Sequence, residues 1–533
     1  MATASMSPTA PALTRPEGGK TMNLQHTRTR TTALAVLVPA VTALAVTVLG
    51  ASPGQAGASA PATSRTTASP HGQESRRADP APFTLWAPAR VEITLEPGAD
   101  RIWTDLGIRA VAGPDPVEVR SHRATWSSPI TTTWTAGTRS GTAPTGLQRN
   151  FEGLTNFVRL EVRSRSGQLV LTRRVDGCFN NGAERTRPDA PATSPYPLGC
   201  PWNPFTVGSV QGIQAGWASP IAAVSRPLRL GRGRYDVTIS VNQRWADAFG
   251  LPAEARSRTT RLVVTEDAHS THDHPRANGG SPVPDLGPHP SPVEPASPTS
   301  GRVADGPRPD LRSLPAFGIE LNARSTHLRF SATVWNAGDS PLVVDGFRRE
   351  TEDVMDAYQY FFDTDGDQVG YQQVGELHYH HANHQHWHFE DFARYRLLRA
   401  DRTEATTSGK VSFCLANTDA VDLTVPGAQW RPETTDLSTA CGEPTSLAVR
   451  EVLASGSGDT YAQYRAGQSF RIEGLPNGWY WIAVEANPSG RLVEQSTTNN
   501  RSLRRIHLGG RPGARTVTVP QVGLVEEEYR VMR

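Results

Sequence analysis

The chain is almost without lysine. Of 54 Lys and Arg residues among 533, only Lys20 and Lys410 are lysine, and arginine fills every other such position. A guanidinium stays protonated, whereas a desolvated ammonium can lose its proton and become a nucleophile. Amine chemistry is therefore excluded everywhere but those two positions. Cysteine is nearly as scarce: Cys178, Cys200, Cys414 and Cys441 show no CxxC spacing, which argues against thiolate metal sites and dithiol redox chemistry. Surplus charge is missing too, and a formal net charge of +2 leaves no footprint for nucleic acid. Long helical periodicities are few, while 47 Gly and 43 Pro cut the chain into short pieces, which favours strands and turns over helices.

Long apolar runs are confined to one place. Arg28 and Arg30 precede a run from Ala33 to Leu49 that leads into ASPGQAGASA. Positive charge, roughly 15 apolar residues and small residues at the exit describe a cleaved secretory signal. The run is on the short side of the roughly 17 to 25 residues that span a bilayer, so a retained anchor is the alternative. We expect residues 1–57 to be the signal region, with Met22 a candidate true start, and the mature chain to be secreted and extracellular with no membrane span. Lys20 lies ahead of the signal, so Lys410 would be the only lysine of the mature chain. Export permits disulfides. Four cysteines admit three pairings, and the domain division selects Cys178 with Cys200 and Cys414 with Cys441, each closing a loop of about 25 residues worth about 3 kcal/mol.

Residues 58–82 read as a disordered spacer. Between 83 and 265, VEITLE, NFVRLEVRS, GQLVLTRRV, RYDVTISVNQRW and RTTRLVVTE alternate apolar and polar residues between turn residues, the pattern of strands with one buried face. Residues 266–308 are a Pro- and His-rich linker whose His269, His272 and His274 read as solvated. Between 309 and 510 the alternation returns in THLRFSATVWNAG, SPLVVDGF, KVSFCLAN, SFRIEG and GWYWIAVEANPSG, and 511–533 reads as a tail. The expected fold class is all-β: two β-sandwich-like domains joined by the linker. The N-terminal sandwich shows no catalytic constellation. Trp202, Trp217 and Trp245 are expected in its core rather than along a ligand groove; an extracellular or cell-wall component is the partner class considered for it.

Chemistry concentrates between Ala382 and Leu398, ANHQHWHFEDFARYRLL. His384, His386 and His388 occupy alternate positions, and alternate side chains of an extended backbone share a face. Three imidazoles without a thiolate suit Cu(II) or Zn(II), with copper ahead in affinity. A flat strand would separate the outer Cβ atoms by roughly 13 Å, too far for metal–nitrogen bonds of about 2.0 Å. The segment is therefore expected to coil, as a loop or a strand twisted hard at its end. His378, His380 and His381 form a second cluster just upstream, read either as a cap on the site or as a polar turn. Asp363, Asp365 and Asp367 in DTDGD have the carboxylate spacing of a Ca²⁺ loop, but Gly lies fourth rather than sixth, which favours a plain acidic turn.

Several separated segments between Pro309 and Leu508 resemble the catalytic domain of the lysyl oxidase family. HQHWHFEDFARYRLL, from His384, resembles its copper-binding histidine run with the following acidic pair, Phe and Tyr. SGKVSFCLANTD, from Ser408, resembles the segment whose lysine enters the cofactor. GDTYAQYRAGQ, from Gly458, resembles the segment with the partner tyrosine, which falls on Tyr461 rather than Tyr464 because Asp459-Thr460 precedes it. VEANPSGRLVEQSTTNN, from Val484, resembles the closing strand and Thr-Asn-Asn turn. The resemblance implies that copper and O₂ oxidise Tyr461 to a quinone and that the Lys410 amine adds to the ring, giving lysine tyrosylquinone. Its carbonyl would take electrons from a substrate primary amine. One departure matters: Arg394 occupies the position where animal relatives carry a histidine proposed as general base. A guanidinium cannot accept that proton. Asp391 and Asp459 are candidates by proximity in sequence.

The function expected is a secreted copper-dependent amine oxidase that deaminates peptidyl lysine or small primary amines to aldehydes, with release of hydrogen peroxide and ammonia. Two other readings stand beside it. One is a His₃ zinc hydrolase or lyase, in which Lys410 and Tyr461 would be incidental. The other is a non-catalytic secreted β-sandwich adhesion protein.

Overall fold

The structure is a computed structural model that describes residues 81–96, 98–104, 106–221, 227–266, 306–350, 352–380 and 386–527. The expected signal region, the three linker histidines, His381 and His384 lie outside the described residues. The described residues all belong to one compact unit, Arg77–Arg533. Strand dominates it, and the one α-helix among the described residues, Gln243–Ala248, is 6 residues long.

In the N-terminal sandwich a five-stranded sheet runs in the order Arg90–Leu95, Ser257–Glu266, Gly233–Val241, Leu154–Ser164, Leu169–Gly177. Its inward residues, among them Leu160, Val162, Val237 and Ile239, share one core with Phe83, Leu85, Val119 and Trp134 from two four-stranded sheets. This is what period-2 patterning dictates: each strand has one face to bury. Trp245 is in that core and Trp217 packs at its edge, while Trp202 is 42% exposed. Cys178 is bonded to Cys200, and Cys414 to Cys441.

Among the described residues the C-terminal domain has three sheets. The first runs Ser412–Phe413, His386–Glu390, Gln368–His380, Val354–Phe362, Leu342–Arg348, Ala448–Leu453. A second contains Leu311–Ser313, His327–Asn336, Ser457–Tyr461 and Asp419–Ala420. The third, Glu404–Thr407, Ala393–Arg399, Gly478–Ala486, Arg501–Arg511, Ala514–Thr518, carries the domain past residue 510 into the expected tail. All three contribute to a core that includes Phe330, Trp387, Phe389, Tyr395, Phe413, Ile482 and Ile506. The DTDGD segment is the turn joining Val354–Phe362 to Gln368–His380. The Asp363 carboxylate accepts from the amides of Asp365 and Asp367 at 2.9 and 3.0 Å, and Gly366 takes φ +88°. A hairpin turn of this kind uses Asp and Gly at those places without an ion.

Candidate functional site

The strand His386–Glu390, the histidine strand, pairs antiparallel with Gln368–His380 in the register His378 with His388 and His380 with His386. Trp387, fully buried, turns into the core and donates from Nε1 to the carbonyl of Glu443 at 2.9 Å. Alternation then sends its two neighbours to the opposite face. There the Nε2 atoms of His386 and His388 lie 2.9 Å apart, with their rings 4.6 Å apart and nearly perpendicular. Two nitrogens each about 2.0 Å from one ion can be at most about 4 Å apart, so this pair can share a metal. Regular strand begins at His386, and the third expected ligand, His384, falls in the undescribed residues just before it. His378 sits across from His388, its Nε2 at 3.3 Å from Glu376 and 3.9 Å from Glu390.

On the other edge of the histidine strand lies Ser412–Phe413, with Ser412 opposite Glu390 and Phe413 opposite Phe389. Ser412 Oγ is 3.5 Å from His388 Nδ1, the position from which a neighbour orients a metal-ligating ring. Two residues earlier, Lys410 is only 8% exposed. Its amide donates to Ser408 Oγ at 3.2 Å. Gly467, at φ +82°, passes so close that a Cβ there would be 3.2 Å from the lysine's own Cβ and amide nitrogen. Gly467 thus packs against the base of the side chain, and Nζ comes to 4.3 Å from the centre of the Tyr461 ring and 5.1 Å from that of Phe413.

Tyr461 ends the strand Ser457–Tyr461, the tyrosine strand. Its hydroxyl donates to the carbonyl of Cys414 at 3.1 Å and accepts from the amide of Cys414 at 3.0 Å. Phe413 meets the ring edge-on at 5.1 Å. Both ends of the phenol are therefore held, one by backbone anchored through a disulfide and one by an aromatic wall. Tyr395, fully buried behind Phe413, closes the site from the third sheet.

Charge around the pair is buried as well. Asp459 and Glu451 are both inaccessible, and Glu451 accepts from the amide of Leu415 at 2.9 Å. Among the described residues, Glu451 Oε1 and Asp459 Oδ2 have no hydrogen-bond partner. Burial holds both carboxyls well above the usual range, and Lys410 pulls each back down. Burial brings the Lys410 ammonium down to about 8, against the opposing pull of Asp459 and Glu451. Burial also raises the Tyr461 phenol, reinforced by the two carboxyls.

The structure thus brings Lys410, Tyr461, Asp459 and the His386–His388 strand together. It does not bring Asp391, which sits in an exposed turn at φ +61°. Nor does it bring Arg394, which alternates with inward Tyr395 and pairs with Glu485 at 3.1 Å. Glu451 was missed from the sequence. Its signal was a carboxyl on the apolar side of Ala448–Leu453, in step with Val449 and Leu453, which are both in the core.

Residues 369–517 match the family model described as lysyl oxidase. That stretch holds the histidine run, Lys410 and Tyr461, and the family in general comprises copper-dependent amine oxidases. No curated protein matches the chain.

Proposed function

We propose that this chain is a secreted copper-dependent amine oxidase whose organic cofactor, lysine tyrosylquinone, is built from Lys410 and Tyr461. The substrate is a primary amine, either peptidyl lysine or a small amine, converted with O₂ and water to an aldehyde, ammonia and hydrogen peroxide. The observation that carries the reading is the Lys410 amine held 4.3 Å from the centre of the Tyr461 ring, two residues before Ser412–Phe413, which pairs with the Phe389–Glu390 end of the histidine strand.

The residues fit the groups this reading requires. His386 and His388, with His384, would hold copper through three imidazoles, a donor set suited to it. When bound, copper supplies one-electron chemistry with O₂ that zinc lacks, and the quinone supplies an electrophilic carbonyl. The chain's own groups do the rest. Lys410, depressed to about 8, reaches its nucleophilic neutral form near physiological pH. The Cys414 backbone fixes the phenol against rotation. Phe413 and Tyr395 keep bulk water from the amine and the ring. Asp459 shares the tyrosine strand two residues from Tyr461, and is the group we assign as proton acceptor in place of the family histidine.

The test is peptide mass analysis of copper-loaded protein, together with peroxide release from a panel of amines. A covalent Lys410–Tyr461 peptide pair and peroxide from lysyl peptides or small amines are expected. Unlinked peptides and no peroxide from any amine overturn the reading.

A further inference from the structure

The strand His327–Asn336 is buried on both faces, and the faces differ in kind. Phe330, Ala332 and Val334 point into the C-terminal core, while Thr333 and Trp335 point away from it and are covered all the same. A sandwich strand normally leaves its second face to water. Here the N-terminal sandwich covers it. Asn203, buried, donates from Nδ2 to Thr333 Oγ1 at 2.8 Å, and Thr333 Oγ1 is 2.7 Å from Thr460 Oγ1. Phe205 packs in one cluster with Leu314, Phe317, Trp335 and Val421.

The backbones join too. The amide of Val207 donates to the carbonyl of Val421 at 2.9 Å, and that of Leu423 to the carbonyl of Gly208 at 3.1 Å. At Gly208 a Cβ would lie 2.0 Å from Asp422 Oδ1 and 2.7 Å from Thr424 Oγ1, so the approach requires glycine. On its own side, this contact segment is tied down by buried Arg123, whose guanidinium donates to the carbonyls of Thr206 at 2.9 Å and Pro204 at 2.6 Å.

What the N-terminal sandwich covers is the back of the tyrosine strand. In the pairing of His327–Asn336 with Ser457–Tyr461, Thr333 faces Thr460 on the outer side, while Ala332 faces Tyr461 and Val334 faces Asp459 on the inner side. Segment 420–423, which the N-terminal backbone grips, continues Asp419–Ala420, the other neighbour of the tyrosine strand. Because side chains alternate, a slip of one residue in this strand would put Thr460 inward and turn Tyr461 away from Lys410. The hydroxyl line from Asn203 through Thr333 to Thr460 opposes that slip.

We propose that the N-terminal sandwich is a positioning element for the Lys410–Tyr461 pair: it closes the outer face of the tyrosine strand, and Asn203 and Thr333 fix its register. The link to cofactor formation rests on the function proposed above; the effect on the strand does not. Thr333→Val removes the hydroxyl at constant shape, whereas Thr333→Ser keeps it and loses the methyl. Two quantities are read on protein shown to be folded by its melting transition: the rate of Lys410–Tyr461 linkage after copper addition, and amide hydrogen exchange at residues 457–461 in metal-free protein. Thr333→Val is expected to slow linkage and speed exchange by about tenfold, the scale of one buried hydrogen-bond partner lost, with Thr333→Ser recovering most of both. A packing role alone would make Ser the worse variant, and that order overturns the proposal. Gly208→Val, which wedges the two sandwiches apart, is expected to slow linkage and speed exchange as well; wild-type behaviour in both overturns it. If the wild-type chain forms no linkage, the oxidase reading fails and exchange decides alone: faster in Thr333→Val than in Thr333→Ser supports positioning, and equal rates overturn it.

Discussion

At the scale of single residues the site is governed by burial of charge. Lys410 has a folded value of about 8 against an ordinary 10.5. Only the neutral amine can attack the ring, so the rate of Lys410–Tyr461 linkage is expected to rise with pH and level off above about 8; a pH series followed by visible absorbance checks this. The same shift bears on stability. Between about 8 and 10.5 the unfolded chain binds the extra proton, so the Lys410 contribution becomes more favourable as pH rises through that window. Lys410→Met removes the amine without leaving a buried charge, and is expected to keep the fold and lose all quinone absorbance. Asp459→Asn keeps the shape and removes the proton acceptor. Linkage is expected to proceed while turnover of a substrate amine falls by about a hundredfold or more, read as peroxide release.

Elements decide which of these residues can meet. Trp387 fixes the alternation of the histidine strand, because a fully buried indole leaves its two neighbours only the other face. Trp387→Ala is expected to cost about 3–5 kcal/mol in denaturant unfolding. Replacing both Cys414 and Cys441 by Ser opens a loop of 27 residues and is expected to cost about 3 kcal/mol. It should also slow linkage, since the Cys414 backbone holds the Tyr461 hydroxyl. Much at this scale was legible beforehand: the period-2 histidines, the strand-rich class and the singular lysine follow from local pattern, and both disulfides from the division into two domains. Glu451 was not, because a carboxyl inside an apolar strand reads as surface until the fold shows which face is covered. Asp391 and Arg394 flank Phe392 a few residues after the histidines, yet a positive-φ turn and alternation send them outward.

At the scale of the whole molecule, the near-absence of lysine has a consequence for substrate. Under the proposed function, in which Lys20 leaves with the signal and Lys410 enters the cofactor, an oxidase of peptidyl lysine would offer itself no side-chain amine. Copper-loaded protein incubated alone is expected to form no covalent oligomers on a denaturing gel, and an added lysine-rich protein to gain carbonyls. The two sandwiches belong to this scale as well. The sequence by itself determined the all-β class, the cysteine pairing and the one amine and alternating imidazoles capable of this chemistry, because each depends on residue type, short-range period or the division of the pattern into two domains. Only the tertiary structure decided that Lys410 meets Tyr461, that two carboxyls are buried beside them and that the N-terminal sandwich backs the tyrosine strand. Contacts between residues some 50 to 250 positions apart are set by which strand faces bury against which, and no local pattern encodes that choice.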